Sequence, residues 1–158
     1  MNSKFAPLKK HENILVFAKK SAAFVKKKEN AMRYNPQMGN GKPYTITSGR
    51  ATTNYDTKWA KRTETINTGE RYPTSILQFK RDKEKFHPTQ KPIALFEYLI
   101  KTYTNEGDTV LDNCMGSGTT AIACINLKRN FVGFEKDESY FEIANLRIKN
   151  NLQQLRLF

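Results

Sequence analysis

Asp108-Thr-Val-Leu-Asp112 is the stretch that best indicates how this chain folds. It is followed by Asn113-Cys-Met-Gly-Ser-Gly-Thr-Thr120. An apolar run ends in an acid, a Gly-Ser-Gly loop follows, and a helical pattern begins at Thr119. A second apolar run, at 131–134, ends in another acid, Glu135. This order predicts an α/β fold, in which a βαβ unit of a doubly wound sheet carries a ligand loop at the carboxyl end of its first strand.

The two acids and the loop together predict a cofactor of the nucleoside type. Glycines let the backbone approach a ligand closely, and the free N–H groups at the start of the helix lie just beyond them. A carboxylate that closes the second strand can accept hydrogen bonds from both ribose hydroxyls. Since a lone Gly-x-Gly is a common pattern, the prediction depends on the loop, the helix and both acids occurring in this order.

The charge of the chain is divided unevenly. Residues 1–91 carry 20 Lys and Arg against 7 Asp and Glu, a net charge of +13, whereas residues 92–158 carry 7 against 8. A basic half beside a nearly neutral half indicates a polyanionic partner for the basic half. The alternative is a surface that is merely rich in lysine.

Several classes of protein are disfavoured by the composition. No apolar run approaches the roughly 20 residues that span a bilayer, and the first residues contain no signal-peptide core. We therefore expect a cytoplasmic protein with no membrane partner. The two cysteines, Cys114 and Cys124, lack the spacing of zinc ligands, so no metal site is predicted.

Three regions follow one another along the chain. Residues 1–20 include the apolar run Ile14–Phe17, which predicts a strand of the sheet buried on both faces. Residues 21–86 are rich in turn, basic and aromatic residues, a mixture that suits contacts with phosphates and bases, although a disordered linker is the alternative. Residues 87–158 contain the cofactor-binding βαβ half. The residues expected to contact DNA are Arg50, Lys58, Lys61, Arg62 and Arg71.

Further elements are predicted around the βαβ unit. The alternation in Tyr72–Phe79 favours one more strand, and the apolar spacing after Glu138 predicts a final helix to about Gln154. The string His87-Pro-Thr-Gln-Lys-Pro92 opens a helix that Thr89 can cap. A helix amino terminus beside a lysine attracts a carboxylate, and the alternative is a capping sequence with no ligand.

Taken together, HPTQKP, VLDNCMGSGTT and GFEKDESYFEIANLRI resemble the carboxyl-terminal part of bacterial and phage amino-DNA methyltransferases. This family transfers a methyl group from S-adenosylmethionine to the amino group of adenine or cytosine. KHENILVFAKK and YNPQM…GKPY resemble its middle region, so the similarity covers almost the whole chain. It implies part of a Rossmann-like methyltransferase sheet, with a target-recognition region inserted between the first strand and His87.

The resemblance also implies roles for individual residues. Asp112 and the loop of Gly116, Ser117, Gly118 and Thr119 would hold the methionine end and the sugar of S-adenosylmethionine, and Glu135 would bind the ribose hydroxyls. A wall that meets the methionine carboxylate and amine would comprise His87, Thr89, Gln90 and Lys91. Many relatives have Pro-Phe where this chain has Asn113-Cys114, so no cofactor contact is assigned there.

One departure from the family is the absence of its catalytic tetrapeptide. In relatives an Asp, Asn or Ser followed by Pro-Pro and an aromatic residue holds the target amine and stacks on the flipped base. The nearest string here, Asn35-Pro-Gln-Met38, has one proline and no aromatic residue. The resemblance therefore implies a truncated gene, a fragment or one half of a split enzyme. We assign no catalytic residue and expect the chain to be inactive without an upstream half.

The prediction is thus a portion of a site-specific DNA methyltransferase, with adenine favoured over cytosine as the target base. A cytosine amino-methyltransferase fragment is the closest alternative. A catalytically silent DNA-binding or regulatory module, which keeps the cofactor fold, is an alternative from another class. A degenerate gene product without a stable fold is the third.

Overall fold

The computed structural model describes residues 11–19, 32–47 and 64–155. The chain divides into two compact units, residues 1–33 and residues 34–158. In the first unit, residues 11–18 have no regular secondary structure, and the side chain of Phe17 is 86% exposed. The predicted strand at Ile14–Phe17 is therefore wrong for this structure. An apolar run becomes a buried strand only where neighbouring strands pair with it, and the described residues of this unit provide none.

The second unit begins with four short strands. They pair two by two and form an antiparallel ribbon that is two strands wide. They are β1 (Gly39–Asn40), β2 (Tyr44–Thr47), β3 (Glu64–Asn67) and β4 (Glu70–Arg71). Strand β1 pairs with β4, and β2 pairs with β3 from Tyr44 opposite Asn67 to Thr47 opposite Glu64. Threonine and isoleucine favour an extended backbone, and this explains the central ladder. We call residues 39–47 and 64–71 the ribbon.

The βαβ unit predicted from the sequence is confirmed. Strands β5 (Thr109–Asp112) and β6 (Asn130–Gly133) are parallel, and helix α2 (Thr119–Asn126) connects them. Helix α1 (Ile93–Tyr103) precedes the unit, and helix α3 (Glu138–Leu155) follows it. The carboxyl ends of β5 and β6 therefore lie side by side, which brings Asp112 and Glu135 to the same edge of the sheet.

The core is formed by α2 and the helices that pack on it. Ala123 and Cys124 are fully buried against Ile100 of α1. On the other side, Ala121 packs with Ala144 of α3. Small side chains allow the helices to approach closely, so α2 and the loop before it are held in a fixed position.

The start of α1 differs from the prediction. The amino-terminal cap is Pro92, which offers no side-chain hydrogen bond, and Thr89 does not cap the helix. Instead, the carboxylate of Asp82 accepts a hydrogen bond from the backbone N–H of Ile93 at 3.2 Å. A carboxylate from the preceding segment thus satisfies a free N–H group of the first turn.

The strand predicted at Tyr72–Phe79 is also wrong. These residues have no regular secondary structure, and Tyr72 and Ile76 are exposed. The ring of Phe79 instead packs against Tyr98 of α1, with ring centroids 5.8 Å apart. Within this segment, the packing on α1 is made by Phe79, while Tyr72 and Ile76 face away from the core.

One face of the β5–β6 sheet remains exposed. Leu111 is 66% exposed and Phe134 is 59% exposed, and Val132 lies between them on the same face. Parallel sheets are normally covered on both faces, because their strands are apolar on both sides. No helix within the described ranges is long and apolar enough to cross a membrane.

Candidate cofactor site

Asp112, the last residue of β5, shapes the loop that follows it. One carboxylate oxygen accepts a hydrogen bond from the backbone N–H of Cys114 at 3.0 Å. The other accepts one from the hydroxyl of Thr120 in the first turn of α2. Since a carboxylate has about four acceptor positions, Asp112 retains capacity for a ligand.

The two glycines of the loop have left-handed backbones, with φ of +54° at Gly116 and +82° at Gly118. A Cβ atom on Gly118 would lie 3.0 Å from the Cβ of Ala144. Gly118 therefore allows the loop to approach α3 closely. The sequence analysis predicted that the glycines allow the loop to approach a ligand closely. A Cβ on Gly116 would meet the ring of His87 at 3.8 Å, so the loop passes beside His87.

Glu135 binds the loop directly. Its Oε2 accepts a hydrogen bond from the N–H of Gly116 at 2.7 Å, and its Oε1 accepts one from the N–H of Asp137 at 2.9 Å. The backbone N–H groups of Asp137 and then Gly116 lower the pKa of Glu135 from its ordinary value, because they stabilise the ionised form. An ionised carboxylate therefore lies beside the glycine loop at neutral pH.

The residues predicted to form a wall lie against the same loop. The ring of His87 contacts Tyr140 edge-on, with centroids 4.2 Å apart, and the hydroxyl of Thr89 lies 3.0 Å from His87 Nδ1. Gln90 Oε1 accepts a hydrogen bond from the hydroxyl of Ser117 at 3.2 Å. Lys91 is half-buried and engaged in an interaction of its own. The structure thus brings this segment to the loop, and its contact with a cofactor stays a prediction.

Ser117, Gly118 and Thr119 are buried, whereas Gly116 is half-buried. The Ser117 hydroxyl is engaged by Gln90 and by Arg147, whose guanidinium lies 3.0 Å from it. The side chain of Ser117 therefore supports the loop from within the protein.

Arg147 is a site residue that the sequence analysis missed. Its guanidinium donates hydrogen bonds to the carbonyl and hydroxyl oxygens of Ser117 and stacks on Phe86, 4.6 Å from the ring centroid. Burial lowers the pKa of Arg147, and Asp82 and Glu84 oppose that shift. A signal was present: Arg147 lies three positions after Ala144, and residues three apart share one face of a helix.

Asn35, in the string nearest to the missing tetrapeptide, has a structural role. Its side-chain amide donates hydrogen bonds to the carbonyl oxygens of Lys101 and Thr104, each at 3.1 Å. Its backbone N–H donates to the carbonyl oxygen of Thr102 at 2.7 Å. Asn35 therefore caps the carboxyl terminus of α1 with its amide nitrogen.

Of the predicted DNA contacts, the structure describes Arg71 alone; Arg50, Lys58, Lys61 and Arg62 lie outside the described residues. The guanidinium of Arg71 donates to Asn67 Oδ1 and to the carbonyl oxygens of Lys42 and Glu70. It also lies over the ring of Tyr44, 4.7 Å from the centroid. Arg71 therefore uses its donors inside the ribbon.

The described residues contain no group of His, Cys, Asp and Glu side chains that could hold a metal ion. Cys124 is buried, and this desolvation raises the pKa of its thiol to about 11. Such a thiol stays protonated at neutral pH and is a packing residue.

This chain is similar to known DNA methylases. The sequence model of a family described as DNA methylase, the N6 and N4 methylases, matches residues 2–146. The type II methyltransferase M.BglI of Bacillus subtilis is 45% identical over 67 residues, which are 42% of this chain and 19% of that protein. M.HpaI of Haemophilus parainfluenzae is 40% identical over 81 residues, 48% of this chain and 26% of that protein. The matches thus span about a fifth to a quarter of these relatives.

Among solved structures, the complex of M1.HpyAVI with SAM is 51% identical. The match covers 46% of this chain and 36% of that one, with a TM-score of 0.43. PvuII DNA methyltransferase, which is cytosine-N4-specific, is 26% identical over 48% of this chain and 31% of that one, with a TM-score of 0.45.

Proposed function

This chain belongs to the DNA methylase family, and from that membership we propose that it is the cofactor-binding and DNA-recognition portion of an S-adenosylmethionine-dependent DNA amino-methyltransferase. The observation that carries the proposal is the loop at Gly116. Its N–H is bound by the ionised carboxylate of Glu135, beside the acid that ends the neighbouring strand. In doubly wound folds, an acid that follows the second strand of such a unit binds the ribose of the cofactor.

We assign the cofactor contacts as follows. Each oxygen of Glu135 accepts one backbone hydrogen bond and keeps a lone pair for a ribose hydroxyl. Asp112 and the loop backbone face the methionine end and the sugar. The segment from His87 to Lys91 lies against the loop and supplies the wall for the methionine carboxylate and amine.

The methyl transfer itself needs a group that holds the target amine. When bound, S-adenosylmethionine supplies a methyl group on a positively charged sulfur. The methyl group would pass to the amine nitrogen of the target base, the electron pair of the carbon–sulfur bond would stay with sulfur, and the amine would release a proton to water. We propose that a further polypeptide carries the tetrapeptide that binds the amine and covers the exposed face at Leu111 and Phe134.

We expect Glu135→Ala to weaken S-adenosylmethionine binding by about 10- to 150-fold, the range expected when hydrogen bonds to a charged group are lost. Calorimetric titration measures this change. Glu142→Ala is the matched control, because Glu142 is an exposed acid on α3 and lies away from the loop contacts. Equal affinities for the two variants would contradict the role of Glu135.

We further propose that the basic half of the chain binds duplex DNA through its phosphates. Four to six phosphate contacts give a slope of log K against log salt of roughly −4 to −5, because each contact contributes about −0.9. Changing Lys61 and Arg62 together to Ala should make the slope shallower by nearly two. Changing Lys101 and Lys149, exposed lysines of the neutral half, should leave it unchanged. Fluorescence anisotropy at several salt concentrations measures both slopes, and an affinity indifferent to salt would contradict the proposal.

A further inference from the structure

We propose that the ribbon is the element that enters the major groove of duplex DNA, and that Arg71 is a positioning residue that fixes the bend of the ribbon. This inference rests on the proposed DNA-binding function and goes beyond it in naming the structural element and the groove. It also changes the role of Arg71 from a phosphate contact to an internal clamp.

Both faces of the ribbon are exposed. Side chains alternate between the faces of a strand, so Tyr44 and Ile46 lie on one face and Ile66, paired with Thr45, lies on the other. All three are exposed, and Ile66 is 72% exposed. A two-stranded ribbon is only marginally stable alone, so apolar side chains on both of its faces indicate a surface for a partner.

The chemistry of the ribbon fits the edges of base pairs. The major groove is wide enough for a two-stranded ribbon, threonine hydroxyls can donate to or accept from any base, and apolar groups contact the thymine methyl. The described strands supply Thr45, Thr47 and Thr65 beside the isoleucines.

The charge favours DNA over an apolar protein partner. In the sequence that joins β2 to β3, residues 48–63, one Asp stands against the four basic residues Arg50, Lys58, Lys61 and Arg62. The strands themselves carry Glu64, Glu70 and Arg71, so the positive charge that can meet the phosphates at the rims of a groove lies in the sequence of this connection.

The ribbon is anchored at both ends on α1. Before β1, Asn35 caps the carboxyl terminus of α1, and the ring of Tyr34 packs near that of Tyr103 with centroids 6.2 Å apart. After β4, the ring of Phe79 packs against that of Tyr98. Because α1 packs on α2, the ribbon is connected through packed elements to the helix that begins at the cofactor loop.

Arg71 holds the point where the ladder is interrupted. Between the two paired segments, the N–H of Gly41 donates to the carbonyl oxygen of Gly69 at 2.7 Å. The guanidinium of Arg71 donates hydrogen bonds to Asn67 Oδ1, in the same half of the ribbon as Arg71, and to the carbonyl oxygen of Lys42 in the other half. It also stacks on the ring of Tyr44. A planar fork of donors can make these contacts at once, and an ammonium group cannot.

The first test places an acid on the ribbon. Ile66→Asp should weaken binding to a short fluorescein-labelled duplex of mixed sequence by about tenfold or more, because a carboxylate would face the phosphates and lose apolar contacts. Leu146→Asp makes the same change at a side chain on α3 that is 60% exposed. It should bind DNA like the wild type. S-adenosylmethionine titration should give the same affinity for both variants and the wild type, which shows that the fold is intact.

Equal DNA affinities for Ile66→Asp and Leu146→Asp would overturn the ribbon assignment and leave the proposed function standing. If the wild-type chain binds no duplex at all, the DNA-binding part of the proposed function fails, and this inference fails with it.

The second test separates positioning from phosphate contact at Arg71. If Arg71 is a clamp, Arg71→Lys and Arg71→Gln should weaken DNA binding to a similar extent, and Arg71→Lys should keep the wild-type salt slope. If Arg71 contacts a phosphate, Arg71→Lys should retain most of the affinity, and Arg71→Gln should make the slope shallower by about 0.9. The second pattern would overturn the assignment of Arg71.

Discussion

Purified alone, the chain is expected to transfer no methyl group from S-adenosylmethionine to DNA. The family's amine-binding tetrapeptide is absent from the sequence, and the amide of Asn35, in the nearest string, caps α1. Without acceptors for the amine hydrogens and an aromatic ring on the flipped base, the target is not held for in-line transfer.

Incorporation of tritiated methyl groups into duplexes of several sequences measures this activity. Supplying a polypeptide that carries an Asp, Asn or Ser followed by Pro-Pro and an aromatic residue, together with the remaining strands of the sheet, should produce activity. We propose adenine as the target base, and digestion of the methylated product to nucleosides identifies it. Turnover by the chain alone would contradict the account of the missing group.

A variant of the exposed sheet face provides a control for the experiment in which the second polypeptide is added. Leu111→Asp changes a side chain that is 66% exposed here, so it should leave the fold of the isolated chain intact. If the completing polypeptide covers this face, the same change should prevent activation, because an ionised carboxylate would be buried without a partner. Full activation of Leu111→Asp would show that the face stays open in the active protein.

Gly118→Val is expected to unfold much of the chain or to abolish cofactor binding, whereas Gly107→Val should be tolerated far better. Both glycines have φ of +82°, so both variants carry the strain of a side chain in the left-handed region, about 1–2 kcal/mol or somewhat more for a branched residue. A Cβ on Gly107 meets no atom within 4 Å. A Cβ on Gly118 meets Ala144 at 3.0 Å, so the difference between the variants isolates the packing of α3 on the loop.

Overpacking a close contact costs about 1–3 kcal/mol. Added to the backbone strain, this is a large share of the 5–15 kcal/mol that typically stabilises a folded domain. Thermal unfolding of the two variants, followed by titration with S-adenosylmethionine, measures the difference. Equal stability of Gly118→Val and Gly107→Val would contradict the contact between the loop and α3.

The βαβ unit could be predicted from the sequence because its signals are local. An apolar run that ends in an acid, a Gly-Ser-Gly loop and a helical pattern lie within one short stretch, and parallel pairing then places Asp112 and Glu135 at one edge. The run Ile14–Phe17 has an equally strong local pattern, but a buried strand depends on neighbours that the pattern cannot reveal. The same limit applies to Tyr72–Phe79, where Phe79 packs on α1 and Tyr72 and Ile76 stay exposed.

The ribbon was not predicted, because its strands are short, threonine-rich and exposed on both faces, so they lack the alternation that identifies a half-buried strand. At the cofactor site, the contact partners Glu135 and Gly116 follow from the fold. Arg147 and Asp82 were missed because each reaches its partner across a long sequence separation: Arg147 binds Ser117, and Asp82 caps α1. Local spacing can show that Arg147 shares a helix face with Ala144, but it does not show which distant residue Arg147 contacts.

If the loop held by Glu135 binds S-adenosylmethionine, the cofactor should protect the amides of the loop from hydrogen exchange. We expect that adding S-adenosylmethionine slows exchange at Gly116, Ser117, Gly118 and Thr119, and that Glu135→Ala removes this protection at the same cofactor concentration. Protection of other segments with no change at these four amides would show that the cofactor binds elsewhere.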